Sequence, residues 1–219
     1  MKRICVNCGS NPGIRKEYIE AAAKLGKLLS QKGIELVYGG AEVGLMGAVA
    51  SAVIKNGGRV TGVIPQSFAD KVAKENITEL YIVPTMHERK KMMFDMSDAF
   101  IALPGGMGTI EEVFEILTWA QLGFHGKPCG FLNICSYFDK LFEFLDYSVD
   151  QQFVKPQHRD MILISAEPGD LIEQFEKYKV PIVEKWVNRR GNKKYNSNFD
   201  GLVKKLNLTQ RHKVAKVTT

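Results

Sequence analysis

Three glycine-rich segments hold most of the residues suited to chemistry. They are Cys8-Gly-Ser-Asn-Pro-Gly13, Tyr38-Gly-Gly-Ala-Glu-Val-Gly-Leu-Met-Gly47 and Pro104-Gly-Gly-Met-Gly-Thr-Ile-Glu-Glu112. Each follows an apolar, strand-like run and opens a helical one. Glycine lets backbone N–H groups approach an anion with no Cβ in the way, and a helix N-terminus adds a favourable dipole. One such loop is explained by turn sterics alone. Three at one sheet edge point to a nucleotide or sugar-phosphate site. The candidate contacts are Gly9 and Ser10 in the first loop, and Gly40, Gly44, Met46 and Gly47 in the second. In the third they are Pro104, Gly105, Gly106, Met107, Gly108 and Thr109. Thr109 is expected to cap the following helix and to offer its hydroxyl to a phosphate. Glu111, Glu112 and Glu115 then crowd the first helical turns. Dipole complementarity accounts for one or two of them. An acid beside an anion-binding loop repels the anion unless it serves another part of the ligand, such as ribose hydroxyls or an attacking water.

A charged cluster, Met86-His-Glu-Arg-Lys-Lys91, falls at the same edge. Arg89 can pair with a phosphate or with charge developing on a leaving group. His87 has no metal-ligand partners nearby and reads as a hydrogen-bonding residue; His125 and His158 are assigned no role. Several common chemistries are excluded. No GxxxxGK[ST] is present, the first loop lacks GxGxxG, and Glu35 is the only acid near the end of the second strand. A P-loop NTPase is therefore ruled out, and a hydride-transferring dinucleotide enzyme fits poorly. Cys5 and Cys8 have CxxC spacing but lie on a strand, where residues three apart face opposite sides. Cys129 and Cys135 form no second pair, so all four cysteines read as packing or incidental thiols, and no metal or cofactor is expected.

The elements that must position these residues alternate. Strand patterns run over Arg3–Cys8, Glu35–Tyr38, Arg59–Ile64, Leu80–Val83, Ala99–Leu103, Gly130–Ile134 and Met161–Ser165. Helical periodicity fills Arg15–Lys32, Leu45–Lys55, Met86–Met96, Thr109–Gln121, Tyr137–Phe153 and Pro168–Tyr178, while Gln66–Asn76 is polar and irregular. Apolar strands of four to six residues alternating with helices predict an α/β, Rossmann-like, doubly wound parallel sheet with helices on both faces. In such sheets ligands bind outside the carboxyl ends of the strands, where the three loops fall.

Charge and composition bound the partners. The net charge is +6, yet Asn188–Thr219 carries nine basic residues against one acid, leaving 21 basic and 23 acidic residues in the first 187. The reading is one domain over residues 1–187 and a basic, flexible C-terminal tail over 188–219. The tail has no aromatic stacking pattern or amphipathic helix, so nucleic acid is not an expected partner. No apolar run reaches the ~18 residues of a membrane span. Met1-Lys2-Arg3 is followed by no apolar signal-peptide core, so a cytoplasmic protein without a membrane partner is expected.

The third loop resembles the PGGxGTxxE motif of the LOG (Lonely Guy) family, the cytokinin riboside 5′-monophosphate phosphoribohydrolases. Met86-His-Glu-Arg-Lys90 resembles that family's second motif. Cys8-Gly-Ser10, Tyr38-Gly-Gly40, Gly44-Leu-Met-Gly47 and Thr118-Trp-Ala-Gln-Leu122 extend the likeness from Arg3 to about Glu184. The resemblance implies a Rossmann-like homodimer. It also implies hydrolysis of the N-glycosidic bond of a nucleoside 5′-monophosphate, AMP or an N6-modified AMP, to free base and ribose 5-phosphate. It assigns Arg89 and Glu112 as catalytic. Met86, Lys90, the stretch Gly106 to Glu111 with Ile110, Glu115 and Thr118 become ligand contacts. Plant members carry an acid after the proline that ends the third strand; here the stretch is Pro65-Gln-Ser67. The segment from there to Met86 also differs in length. The resemblance thus does not carry over the base-side contacts, or a hormone precursor as the natural substrate. An older label for such proteins, lysine decarboxylase, finds no lysine in a pyridoxal phosphate context. The alternative is a non-catalytic nucleotide or molybdenum-cofactor carrier of the same fold, which has no need of a carboxylate at an anomeric carbon.

Overall fold

The computed structural model describes residues 1–72 and 77–181. Seven strands form one all-parallel sheet: β1 Arg3–Asn7, β2 Glu35–Tyr38, β3 Val60–Pro65, β4 Glu79–Val83, β5 Ala99–Ala102, β6 Cys129–Leu132 and β7 Ile162–Ser165. Their spatial order is β4-β3-β2-β1-β5-β6-β7. The chain winds outward from β1 to β4, then returns to add β5 on the other side of β1. The strand order therefore reverses between β1 and β5, where Ile4 pairs with Ala99 and Asn7 with Ala102.

The helices are α1 Lys16–Gln31, α2 Gly44–Lys55, α3 Gln66–Val72, α4 Met86–Met96, α5 Met107–Gln121, α6 Asp139–Asp150, α7 Pro156–Arg159 and α8 Pro168–Lys177. Alternation along β1 explains the two cores. Ile4 and Val6 face a layer built on α1, α2 and α8, with Leu25, Leu29, Val49 and Phe175 among its buried residues. Cys5 faces the opposite layer with Met93 of α4, Val113 of α5 and Phe142 of α6. Cys8 belongs to the first layer, so the two CxxC thiols do lie on opposite faces. Phe100 and Phe131, both without exposed surface, anchor the second layer; such a side chain contributes about 1.5–3 kcal/mol on burial.

Four local expectations differ from the structure. Part of the polar stretch after β3 is helical, as α3, and residues 73–76 lie outside the described residues. β6 stops at Leu132, and Ile134–Ser136 make a 3₁₀ turn in which Cys135 and Ser136 adopt positive φ. Asn133 closes that turn: its Oδ1 accepts from the Phe138 N–H at 2.8 Å and its Nδ2 donates to Asp139. The short helix α7 had no periodicity to announce it. Glu35 is the first residue of β2, at the edge opposite the glycine loops. There its carboxylate takes the Thr61 hydroxyl and the Arg3 Nε, tying β1, β2 and β3 together.

Candidate active site at the β1/β5 switch point

The three glycine loops leave the carboxyl ends of β1, β2 and β5 and meet. The Gly9 N–H donates to the Pro104 carbonyl at 3.0 Å, and the Leu45 N–H donates to the Gly9 carbonyl at 3.0 Å. Gly44 has φ 54° and lies directly against the backbone of Ser10 and Asn11, so a Cβ there would overlap main-chain atoms. The first loop is thus clamped between the other two. Gly9 and Pro104 are buried in this junction, Gly40 is buried against Ile64 and Leu80 of the neighbouring strands and Gly47 against Glu42, whereas Ser10, Gly106, Met107 and Gly108 are exposed. A Cβ on Gly106 or Gly108 would meet nothing within 4 Å. The backbone at Gly106 and Gly108 is thus sterically open to solvent at the start of α5.

Thr109 corrects the expected cap. Helix α5 begins at Met107 with Gly106 as N-cap, and no side chain caps it. Thr109 sits in the first turn, buried, with its hydroxyl packed against Gly105. A leading glycine turn lets the helix start three residues earlier than a threonine cap would. Tyr137, in the turn after β6, donates its hydroxyl to the Gly105 carbonyl at 2.7 Å and so braces the loop from outside.

Arg89 and Glu112 come together across the site. Arg89 lies on the first turns of α4, only 8% exposed, and its Nη1 donates to Glu112 Oε1. Its Nε donates to the Val63 carbonyl of β3 at 3.1 Å, and Met86 Sδ lies 3.4 Å from Nη1. Gly39 leaves the space that the guanidinium fills; a Cβ there would overlap it. α4 is started by Thr85, whose Oγ1 accepts from the Glu88 N–H at 3.2 Å. The same hydroxyl donates to the Glu88 carboxylate at 2.9 Å, and the Thr-x-x-Glu spacing that permits this is readable in the sequence. Gly39 is marked in the sequence only as part of the second glycine loop, and Val63 and Tyr137 carry no sequence signal, because their roles are defined by contacts distant in the chain.

Lys90 is drawn to a different pair of acids. Its Nζ binds Glu111, and Glu115 at 3.1 Å. Burial pulls the ammonium down, but the hydrogen bonds and charges of both carboxylates outweigh it and hold Lys90 above its ordinary value. Glu111, Glu115 and Thr118 form one stripe along α5. Thr118 is exposed and stands about 10 Å along the helix from Glu111, so it flanks the loops rather than joining them. Met46 lies beside Gly39 and hence near the guanidinium. Ile110 is half-buried on the inner side of α5, packed against the second core layer. His87 is exposed at the α4 start. His125 is removed from the site: its Nε2 lies 2.9 Å from the Ile116 carbonyl, and burial lowers its pKa. Among the described residues no group of His, Cys, Asp or Glu is arranged to hold a metal ion.

The geometry places three converging glycine loops, exposed at Gly106 to Gly108, beside a carboxylate bound to a buried arginine. A family profile described as "possible lysine decarboxylase" matches residues 46–175. A rice (Oryza sativa subsp. japonica) protein described as a probable cytokinin riboside 5′-monophosphate phosphoribohydrolase is 48% identical over 182 residues, 83% of this chain and 80% of its own. An Arabidopsis thaliana cytokinin riboside 5′-monophosphate phosphoribohydrolase is 48% identical over 179 residues, 81% of this chain and 82% of its own. Among solved structures, the molybdenum cofactor binding protein of Rippkaea orientalis superposes with a TM-score of 0.63 at 23% identity, covering 81% of this chain and 97% of that one. The molybdenum cofactor carrier protein of Chlamydomonas reinhardtii gives 0.60 at 20% identity, covering 80% and 96%. At these identities the structural likeness is one of fold.

Proposed function

The chain belongs to the LOG family of cytokinin riboside 5′-monophosphate phosphoribohydrolases, and from that premise we propose that it hydrolyses the N-glycosidic bond of a nucleoside 5′-monophosphate, AMP or an N6-modified AMP. The products are the free base and ribose 5-phosphate. The observation that carries this reading is the Arg89–Glu112 pair, lodged where three glycine loops converge. Breaking the C1′–N bond builds positive charge on the ribose, as in glycoside hydrolysis. The amides of Gly106 and Gly108 receive the phosphate. Glu112 faces the developing charge on the sugar and orients or deprotonates the water that adds to C1′. The Arg89 guanidinium meets the phosphate or the departing base, which takes up the proton that water releases. A negatively charged ligand competes with Glu112 for Arg89, so binding itself loosens the carboxylate.

A decarboxylase built on pyridoxal phosphate does not fit these residues. A Schiff-base lysine is most useful with a lowered pKa. Lys90, the lysine at the site, is ion-paired to two carboxylates and held protonated. Lys127, which burial does lower, precedes β6 at the far edge of the sheet and donates to the Phe94 carbonyl.

We further propose that the protein acts in the cytoplasm as a homodimer. Three of its thiols, Cys5, Cys8 and Cys129, are buried and pushed up by that burial, which suits a reducing compartment. The edge strand β4 exposes Leu80, Tyr81 and Ile82, apolar surface of the kind a second copy covers. No described helix is long and apolar enough to cross a membrane.

The test is incubation with a panel of nucleoside 5′-monophosphates, scoring released base by chromatography with a chelator present. Base release that survives chelation is expected, with the free nucleosides reacting far more slowly because phosphate contacts position the ribose. No release from any monophosphate would overturn the assignment.

A further inference from the structure

Asn7 ends β1 at the point where the strand order reverses, and it is 3% exposed. By the alternation of the strand its side chain shares the face of Cys5, toward α4 and α5. The Cys5 thiol donates to Asn7 Oδ1 at 3.4 Å, which fixes how the amide is turned. The amide nitrogen Nδ2 is then buried with no hydrogen-bond partner among the described residues. A buried, unpaired donor is costly, and such groups in folded proteins call for an explanation.

The surroundings supply one. Asn7 and Glu112 line the same small cavity, of about 20 Å³, between α4, α5 and the sheet. The charged groups facing it are Lys90 from α4 and Glu112 and Glu115 from α5, with Cys5 and Phe100 as its floor. In the ligand-free protein Glu112 is held by Arg89 from one side. A nucleotide anion draws Arg89 away, which leaves a partly buried carboxylate short of a donor at the moment it must act.

We propose that Asn7 is a positioning residue for the reaction: its Nδ2 donates to Glu112 once Arg89 has turned to the nucleotide, holding the carboxylate in place and ionised in the complex. The cavity gives the carboxylate the room to make that shift. The unpaired donor in the free protein is the cost of keeping this second partner in reserve. The proposal rests on the phosphoribohydrolase reading.

The test compares wild type with Asn7→Leu, which keeps the amide's shape and removes its donor. Removal of an unsatisfied buried group should leave thermal stability equal or higher. In steady-state assays with AMP, kcat should fall about tenfold or more while KM changes less than about twofold, as for an interaction made only after binding. The acid limb of kcat, which reports the complex, should move up by about half a pH unit or more. The acid limb of kcat/KM, which reports the free enzyme with Arg89 still on Glu112, should stay in place. Should Asn7→Leu fail to fold, Asn7→Ser and Asn7→Ala serve instead. They differ little in size, and Ser, which keeps a donor, should retain several-fold more kcat. An active wild type with Asn7→Leu indistinguishable from it, or with both limbs moving together, or with Ser and Ala equal, overturns the role of Asn7 alone. A wild type that releases no base overturns the phosphoribohydrolase reading, and this role with it.

Discussion

At the scale of single residues, the proposed reaction turns on one carboxylate and the arginine that holds it. Glu112 is only 17% exposed at its side chain and is bound to an arginine that is itself buried. Such a pair contributes modestly to stability while intact, and breaking it from one side leaves an uncompensated charge. Glu112→Gln keeps the hydrogen bond to Arg89 and removes the negative charge. Turnover should fall by about 10²-fold or more, the range of losing a general base or a charge stabiliser. AMP affinity should hold or improve, because Arg89 no longer has to leave a carboxylate. Single-turnover base release alongside an equilibrium titration checks both halves. Were Glu112 there only to complement the α5 dipole, worth about 0.3–1 kcal/mol, turnover would be untouched. Tyr137→Phe removes the hydroxyl that braces Gly105 from the turn after β6. It should raise KM for AMP several-fold and leave the acid limb of kcat where it is.

At the scale of elements, the glycines of the loops divide by what a methyl group would meet. Gly44 has positive φ and no room beside Ser10 and Asn11. Gly44→Ala should therefore lower the melting temperature and weaken AMP binding together, since it pushes the first two loops apart. Gly108 stands on open space at the start of α5. Gly108→Ala should raise helix stability by up to about 1 kcal/mol and still weaken AMP binding, because the new Cβ occupies the side from which the anion arrives. Calorimetry with a binding titration on both variants separates loop construction from ligand contact. At the opposite sheet edge Glu35 is a purely structural group. Burial raises its pKa, but the Thr61 hydroxyl, the Arg3 hydrogen bond and the charges of Arg3 and Arg59 outweigh it and set the folded value below the usual carboxylate range. A depressed folded value stabilises above the unfolded pKa and is lost as pH falls through the folded one. Glu35→Gln should thus cost about 1–2 kcal/mol near pH 7. The gap to wild type should close below about pH 4, while base release per folded molecule stays unchanged.

At the scale of the molecule, the strands and helices of the described residues run from Arg3 to Lys177. The basic segment proposed as a tail, residues 188–219, lies outside the described residues. The segment is mostly polar and basic, with apolar residues enough for one short docked helix at Phe199, Leu202, Val203, Leu206 and Leu208; a chain cut after residue 187 should keep its melting temperature and its turnover. Light scattering on both lengths should return twice the chain mass. A truncated protein that is insoluble or inactive would bring the tail into the domain.

Periodicity in the sequence determined the alternation of strands and helices, and with it the parallel sheet and the edge at which the loops emerge, because those features are local. The same is true of the candidate roles of Arg89 and Glu112, which ride on short motifs within single helices. The elements misread from the sequence, α3, α7 and the Thr109 cap, are ones whose few residues carry too little periodicity or compete with a glycine turn. Tertiary structure alone decided that β5 returns to the side of β1, and this one crossover brings residues 23 positions apart into an ion pair. It also split the charged residues into two sets, with Lys90 on Glu111 and Glu115 and Arg89 on Glu112. The pairing depends on how α4 and α5 are rotated against the sheet, and helix rotation is set by packing of distant apolar side chains such as Met93 and Val113. Asn7 is the clearest case: on its strand it is one polar residue among apolar ones, and only the three-dimensional fold leaves its amide unpaired beside Glu112.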